Sequence, residues 1–159
     1  MIQHIPLEKI LFLDIETVPQ AGNWEELHET DQYLWDKKTK MQRKEDFTAE
    51  DFYSERGGIM AEFGKIICIS VGILEKSEKL MIKSFSGDDE RKLLEEFGEI
   101  FNHPKLHDVI LCAHNGKEFD FPWIARRFLI NGMQPPKPFQ LFGKKPWEIP
   151  HLDTMELWK

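Results

Sequence analysis

The stretch ILFLDIETVP, residues 10–19, sets the expected fold of this chain. Its apolar first half is typical of a buried strand, and the strand ends in two acids separated by one residue. Because successive side chains on a strand point to opposite faces, Asp14 and Glu16 point the same way and Ile15 points into the core. Neighbouring carboxylates repel each other, and a hard divalent ion such as Mg²⁺ or Mn²⁺ relieves that repulsion. The pattern indicates a metal site, and the plainer alternative is a strand that ends in two solvated acids.

Length and composition are those of an ordinary globular domain. The 159 residues suffice for one domain with a sizeable core, and 41% hydrophobic with 31% charged residues is a common balance. The sequence contains no apolar run of the roughly 18 residues that a membrane span needs. Residues 1–6 lack a basic region followed by an apolar one, so no secretory leader is expected and the cytoplasm is the expected location.

The cysteines and the net charge restrict the function only slightly. Cys68 and Cys112 both lie in apolar, strand-like runs, which predicts small buried side chains in a reducing compartment rather than a zinc site. A net charge of −7 disfavours broad nonspecific binding to nucleic acid. It leaves open an enzyme that holds a few phosphates through metal ions, because those ions supply positive charge.

Residues 24–44 have apolar side chains at near-helical spacing and are expected to form one helix. The apolar positions are Trp24, Leu27, Leu34, Trp35 and Met41. The basic later part lies beside Tyr33 and Trp35, an arrangement that could hold a single nucleic-acid strand by stacking and charge. Acids follow directly, at Glu45, Asp46, Glu50 and Asp51. Their presence favours the alternative, a solvated amphipathic face, and residues 53–62 are then expected to form a loop that returns to the sheet.

The rest of the chain alternates apolar, β-branched runs with helical patterns. The expected elements are strands at 65–74 and 80–85 joined by a turn at 75–79, a helix opened by 87–88, a strand at 109–113, a helix ending near 129, a loop through 135–150, a short strand, and a helix start at 153. A hairpin followed by a right-handed crossover predicts an α/β fold, with a mixed sheet flanked by helices. If the strand at 109–113 lies parallel to the first strand, its end lies beside Asp14 and Glu16.

Two segments together resemble a known family. LFLDIET (residues 11–17) and AHNGKEFD (residues 113–120) are similar to motifs I and II of the DEDD 3′–5′ exonucleases, which have a ribonuclease H-like fold. The similarity is greatest to the branch related to the exonuclease domain of family B DNA polymerases, where an Asn precedes Phe-Asp in the second motif. The resemblance implies a single domain over residues 1–159, incomplete at its C-terminus, with a helical insertion at about 20–62.

The resemblance also implies the metal ligands and the chemistry. Asp14 and Glu16 would bind two divalent ions, Mg²⁺ or Mn²⁺, with Asp14 shared between them, and Asp120 would support the second ion. These three acids are the expected catalytic residues. The reaction would be two-metal hydrolysis of phosphodiester bonds from the 3′ end of a single strand, DNA or RNA, with DNA favoured.

Four further residues are assigned to substrate binding by the same resemblance. Asn115 would contact the strand near the scissile end, and Phe119 would shape that pocket. Thr17 could offer its backbone N–H or its hydroxyl to the terminal nucleotide. For His114, a role in packing or in supporting the ligands is as consistent with the pattern as a substrate contact.

The fourth acid of the family, which follows a Tyr or a His in a helix downstream of motif II, has no counterpart in this sequence. His103 and Asp108 have the His-type spacing but precede motif II, and they are expected to be surface residues. Asp153, with Glu156 three residues later, is expected to cap a helix. The chain is therefore expected to be a truncated piece of a longer protein that binds the first metal weakly and is nearly inactive, and the polymerase-type kinship favours a Tyr-type ending.

Two rival functions are weighed against the nuclease. A haloacid dehalogenase-type phosphatase also places acids after an apolar strand, but it needs Asp and Thr where this chain has Glu16 and Val18. The other rival is a nuclease-like module that binds nucleic acid without cutting it. The acids Asp14, Glu16 and Asp120 argue against that module in the full protein and leave it open for this chain.

Overall fold

The computed structural model describes residues 5–44, 46–75 and 79–158. Its strands are β1 (Ile10–Pro19), β2 (Gly64–Leu74), β3 (Leu80–Ser86), β4 (Ile110–Ala113) and β5 (Leu152–Asp153). Its α-helices are α1 (Glu29–Thr39), α2 (Ala49–Arg56), α3 (Glu90–Glu99), α4 (Asp120–Ile130) and α5 (Thr154–Trp158). Short 3₁₀ turns at Lys137–Phe139 and Pro146–Glu148 lie within the segment expected to be a loop.

The five strands form one mixed sheet in the order β3-β2-β1-β4-β5. β1 runs parallel to β4, with Ile10 opposite Ile110, and β4 runs parallel to β5, with Cys112 opposite Leu152. β2 and β3 form an antiparallel hairpin. A mixed sheet flanked by helices confirms the predicted α/β, ribonuclease H-like fold class. The parallel pairing brings the carboxyl ends of β1, β4 and β5 to the same edge of the sheet, where open α/β sheets bind their ligands.

Two compact units share the chain, one formed by residues 1–16 and 67–159 and the other by residues 17–66. The first unit buries the inward side chains of β1, including Leu13 and Ile15, and the apolar stripe of α3. In that stripe Phe97 is fully buried, and its ring packs edge-on against Phe85 of β3 at a centroid distance of 5.7 Å. The strands predicted at 65–74, 80–85 and 109–113 and the helix predicted to end near 129 are confirmed. Their observed ends differ from the predicted ones by at most one residue.

A buried ion pair joins α3 to α4. The Arg127 guanidinium donates from Nε to Oε1 of Glu90 at 2.9 Å, and both side chains are about 8% exposed. Asn131 donates from Nδ2 to the same carboxylate at 2.9 Å. Because both charges are buried, removing either one is expected to destabilise the contact between the two helices.

The second unit, residues 17–66, has an aromatic core of its own. Trp35 is fully buried, and its ring packs edge-on against Tyr53 at 5.3 Å and Phe63 at 5.0 Å. Its indole N–H donates to the Ala49 carbonyl at 2.9 Å. Because Trp35 lies in this core, its ring cannot stack on a nucleic-acid strand as the basic residues beside it in sequence suggested. Tyr33 is exposed, as both alternatives for α1 require, so the loss of Trp35 weakens the stacking alternative without deciding between them.

The single helix predicted over 24–44 is wrong in its extent. The segment begins with a 3₁₀ turn at Trp24–Glu26, and α1 starts only at Glu29 because His28 accepts from the Thr30 N–H through Nδ1 at 3.2 Å and caps the helix. Two of the expected inward positions, Leu34 and Met41, are exposed. The apolar residues keep a helical spacing over the whole segment, but the local caps divide it into two separate elements.

The loop expected over 53–62 is wrong in its first part, since α2 runs to Arg56 and a 3₁₀ turn follows at Gly57–Ile59, while residues 60–62 do lead back to the sheet. A reciprocal capping box starts this helix, in which the Thr48 hydroxyl accepts from the Asp51 N–H and the Asp51 carboxylate accepts from the Thr48 N–H. The box fits the rule for helix starts, with Asp in place of the usual Glu. The helix carries only one buried residue, Tyr53, so no apolar stripe marks it in the sequence.

Cys112 is buried as expected, Cys68 is half-buried, and both thiols are free. Residues 76–78 of the turn predicted at 75–79 lie outside the described residues. The same holds for Glu45, one of the acids named after the basic run, and for the last residue, Lys159. Within the described ranges, no helix is long and apolar enough to cross a lipid bilayer.

Candidate nuclease site at the carboxyl edge of the sheet

β1 delivers two acids to the carboxyl edge of the sheet. Along the strand the buried Leu13 and Ile15 alternate with Asp14 and Glu16, which are both exposed on the other face. This alternation follows from the strand period of two. The expectation that both acids share a face is confirmed, and their exposure leaves the carboxylates accessible to a ligand.

Asp120, the first residue of α4, is buried and lies close enough to Asp14 to be influenced by its charge. Only 3% of Asp120 is exposed. Burial, with smaller contributions from the negative charges of Asp14 and Asp153, raises the pKa of the Asp120 carboxyl to about 6, although hydrogen bonds from its own backbone and from the Ile15 backbone N–H oppose the rise. Residues from β1 and α4, 106 positions apart in sequence (120 − 14), are therefore neighbours in the fold.

The donor set at this edge fits a hard divalent cation. Asp14, Glu16 and Asp120 supply carboxylate oxygens only, the ligands that Mg²⁺ and Mn²⁺ prefer. A cation beside Asp14 and Asp120 would offset the repulsion between their charges. Among the described residues, no group of three His, Cys, Asp or Glu side chains is already arranged to hold a metal ion. The metal site thus stays a prediction, with the Asp14–Asp120 pair as its structural basis.

The loop between β4 and α4 takes a tight path that depends on two residues. Asn115 has a left-handed backbone with φ of 60°, and its carbonyl accepts from the Phe119 N–H at 2.9 Å. At Gly116, an added Cβ would lie 2.5 Å from the Cβ of Ala113 and 2.8 Å from Cζ of Phe121. The backbone here approaches its neighbours so closely that only glycine fits, which explains the Asn-Gly pair in the motif.

The Asn115 side chain has an unusual environment. Its Oδ1 atom is buried, and among the described residues it accepts no hydrogen bond. A buried acceptor without a donor is costly, and sites that bind ligands are where such groups occur. The loop therefore positions an amide group at the same edge as the acids.

The other predicted substrate residues have these surroundings. His114 is exposed, and its Nδ1 is hydrogen-bonded to the Thr154 hydroxyl at 2.9 Å. Phe119 is half-buried, with its ring 6.2 Å from that of Trp123. Thr17 belongs to the unit of residues 17–66, where its hydroxyl donates to the Gly58 carbonyl at 2.6 Å. That bond uses the hydroxyl proton, so the hydroxyl of Thr17 could only accept a further hydrogen bond.

Asp153 was expected to be a helix cap, and the structure gives it a second role that sequence reasoning missed. It does cap α5, since Oδ1 accepts from the Met155 N–H at 3.0 Å. The same carboxylate also accepts from the Asn115 N–H at 2.8 Å and from the Lys117 N–H at 3.1 Å. Only 3% of Asp153 is exposed. The one signal in the sequence was its position after a short apolar segment, where a third parallel strand could end.

Glu156 does not complete the capping box that was expected with Asp153. Its Oε2 accepts instead from Lys117 Nζ at 2.7 Å, which ties α5 to the β4–α4 loop. His103 and Asp108 are exposed, as predicted, and Asp108 pairs with Lys137 on the surface.

His151 is a second buried polar residue that the sequence did not point to. Its Nδ1 accepts from the Leu111 N–H at 3.2 Å, so Nε2 carries the proton and donates to the Pro138 carbonyl at 2.8 Å. Burial lowers the pKa of this imidazole. The neutral ring joins β4 to the segment before β5 and supports the edge on which Asp153 lies.

Two clefts elsewhere contain none of the predicted site residues. The larger, with a volume of about 780 Å³, is lined by residues such as Glu8, Leu74 and Pro104. The smaller, about 280 Å³, includes His107 and Lys144. Neither is lined by Asp14, Glu16 or Asp120.

Comparison with solved structures found similar chains. Structures similar to this chain include a family B DNA polymerase from the hyperthermophilic archaeon Pyrobaculum calidifontis, with 15% identity over 78% of this chain and 11% of that chain and a TM-score of 0.43. They also include E. coli Exonuclease I in complex with a dT13 oligonucleotide, with 11% identity over 94% of this chain and a TM-score of 0.51. The chain spans 28% of the length of that second protein.

No curated protein matches the sequence. A family model described as RNase_H superfamily matches residues 51–159, which is 109 of the 159 positions (159 − 51 + 1) and includes β2 to β5 and the β4–α4 loop. The chain therefore belongs to the RNase_H superfamily.

Proposed function

We propose that this chain is a metal-dependent 3′–5′ exonuclease of the DEDD type that removes nucleotides from the 3′ ends of single-stranded nucleic acid, with DNA favoured. The observation that carries the proposal is the proximity of Asp14 and Asp120 at the carboxyl edge of parallel strands, in a chain of the RNase_H superfamily. The two LFLDIET and AHNGKEFD segments, which resemble motifs I and II, supply those two acids.

Three acids of the chain would hold two ions, Mg²⁺ or Mn²⁺. Asp14 would be shared, Glu16 would bind from the same face of β1, and Asp120 would contribute from the start of α4. When bound, such ions lower the pKa of an attacking water and stabilise charge on the leaving oxygen. The raised pKa of Asp120 supports this assignment. A buried carboxyl next to another acid resists losing its proton, and a bound cation would favour its charged form.

The remaining groups would bind and orient the strand. Asn115 would contact the last nucleotides from the β4–α4 loop, with Phe119 packing against a base or sugar and Thr17 offering its backbone N–H. His114, held by the Thr154 hydroxyl, would either contact the strand or keep the loop in place. None of these groups is assigned to move a proton, so we expect turnover by this chain to be slow.

The test is cleavage of a single-stranded oligonucleotide labelled at its 5′ end, with Mg²⁺ or Mn²⁺ present. We expect a ladder of products shortened from the 3′ end, and no shortening with the Asp14→Ala, Glu16→Ala double variant. Asp108→Ala is the matched control, because Asp108 is an exposed acid outside the site. Shortening at the same rate by the double variant would refute the proposal.

A second candidate function is a nucleic-acid-binding module without activity. One observation favours it: among the described residues, no three acidic, histidine or cysteine side chains are already arranged for a metal. This candidate predicts that a single strand binds equally well with EDTA and with Mn²⁺, and that no product forms with either. Binding that needs the divalent ion would exclude it.

A further inference from the structure

Residues 153–156, from the end of β5 into α5, are hydrogen-bonded to the β4–α4 loop at several points. Asp153 accepts from the Asn115 and Lys117 backbone N–H groups at 2.8 and 3.1 Å. The Thr154 hydroxyl is bonded to His114 at 2.9 Å, and Glu156 accepts from Lys117 Nζ at 2.7 Å. Residues 114, 115 and 117 are thus each held by residues 153–156.

Asp153 itself is not available to a metal ion. Oδ1 accepts from two N–H groups, those of Asn115 and Met155, and Oδ2 accepts from that of Lys117. The side chain is almost completely buried, so a cation would have to displace these donors to reach it. A carboxylate bonded in this way serves as an acceptor for backbone groups.

The loop needs such a restraint because its conformation is unfavourable on its own. Asn115 is the only residue other than glycine with a positive φ in the described part of the chain. A left-handed backbone is unfavourable for residues other than glycine, although less so for Asn, and it persists when its surroundings fix it. The bond from its N–H to Asp153 is one of the contacts that fix it.

We propose that Asp153 is a positioning residue for substrate binding: it holds the β4–α4 loop in the conformation that presents Asn115 to the 3′ end of a single strand. The inference rests on the proposed nuclease function, and it assigns a task to an acid that binds no metal. Preorganisation is the physical reason, because a loop that is already ordered loses less conformational entropy when the strand binds.

The test variant is Asp153→Asn. An Asn side chain has one oxygen and one NH₂ group, so in either orientation at least one of the N–H groups of Asn115, Lys117 and Met155 faces another donor. We expect hydrogen exchange at the affected loop amides to rise about 10- to 100-fold, the size of one charge-assisted hydrogen bond. We expect the dissociation constant for a fluorescein-labelled oligothymidylate with a free 3′ hydroxyl to rise at least about fivefold, measured in Ca²⁺.

Asp89→Asn is the matched control. Asp89 also caps a helix, accepting from the Lys92 N–H at 3.1 Å, but it lies at the start of α3. This variant should leave both the exchange of residues 114–119 and the dissociation constant within about twofold of the unmodified chain. An equal rise in both variants would indicate a general loss of stability and would overturn the proposal.

Asp153→Ser decides the question if Asp153→Asn does not fold. Its single, shorter hydroxyl cannot accept from all three backbone N–H groups, and we expect a rise of at least about twofold in the dissociation constant. An unchanged constant overturns the proposal, as does unchanged binding by Asp153→Asn despite faster exchange. If the unmodified chain binds no oligothymidylate at all, the nuclease proposal fails, and the exchange data still report whether Asp153 holds the loop.

Discussion

Replacing Asp120 by Asn should stabilise the metal-free chain at neutral pH while abolishing nuclease activity. Burial raises the pKa of the Asp120 carboxyl from its ordinary value of 3.8 to about 6. Between these pH values the folded chain retains the proton that the unfolded chain has lost, so the free energy of unfolding falls as the pH rises. At about 1.4 kcal/mol per pKa unit, the full loss by pH 7.5 is about 3 kcal/mol.

Asn is the appropriate replacement because it is neutral at every pH and keeps an oxygen for the Ile15 N–H. We expect Asp120→Asn to unfold with a free energy about 1–3 kcal/mol higher than the unmodified chain at pH 7.5, and with nearly the same value at pH 4. The assay is urea denaturation from pH 4 to 8 in EDTA. Added Mn²⁺ should narrow the difference at pH 7.5, because the cation stabilises only the charged carboxyl.

The control is Asp108→Asn, at an exposed acid whose pKa is lowered by its hydrogen bonds to Lys137 and His107. It should not reproduce the gain at pH 7.5. If the unmodified chain and Asp120→Asn give parallel stability curves from pH 4 to 8, then the buried carboxyl carries no cost when ionised, and the reasoning about this site is wrong.

Three further predictions concern the supports of the site. Gly116→Ala should lower the melting temperature strongly and destabilise the chain by about 2–4 kcal/mol, because the new Cβ would lie 2.5 Å from that of Ala113; a change below about 0.5 kcal/mol would contradict the close approach. Lowering the pH from 7 to 5 should destabilise the Asp120→Asn background through His151, whose pKa burial lowers, since the unfolded imidazole gains a proton that the folded one resists; denaturation of the same background with His151→Asn should show a weaker dependence. Glu90→Ala should cost about 3–5 kcal/mol in urea denaturation because it removes the carboxylate that the buried Arg127 guanidinium bonds, whereas the Glu90→Leu, Arg127→Met pair should cost clearly less.

Much of the sheet could be predicted from the sequence, because strand signals are local. β1 and β4 are apolar runs bounded by polar residues, and each ends close to where its pattern changes. The positions of Asp14 and Glu16 follow from the strand period alone. To predict that Asp120 lies near Asp14 required one more assumption, the parallel pairing of β1 and β4. The structure has that pairing.

The missed features are those that depend on partners far along the chain or on weak local signals. Asp153 finds its amide donors at Asn115 and Lys117, 38 and 36 residues away, and nothing near it in sequence indicates them. α2 lacks an apolar stripe, so its capping box at Thr48 was the only local sign of a helix. Leu34 and Met41 match a helical period, yet tertiary packing leaves them exposed.

The pairing of Ile10 with Ile110 has a consequence for how the protein folds. Closing a loop of about 100 residues before any contact forms is entropically expensive, and parallel pairing of distant strands is correspondingly slow. The hairpin of β2 and β3 can form early from neighbouring residues, whereas the repulsion between Asp14 and Asp120 arises only when the central strands meet. Divalent ions present during refolding should therefore act on the late, rate-limiting steps rather than on the initial collapse.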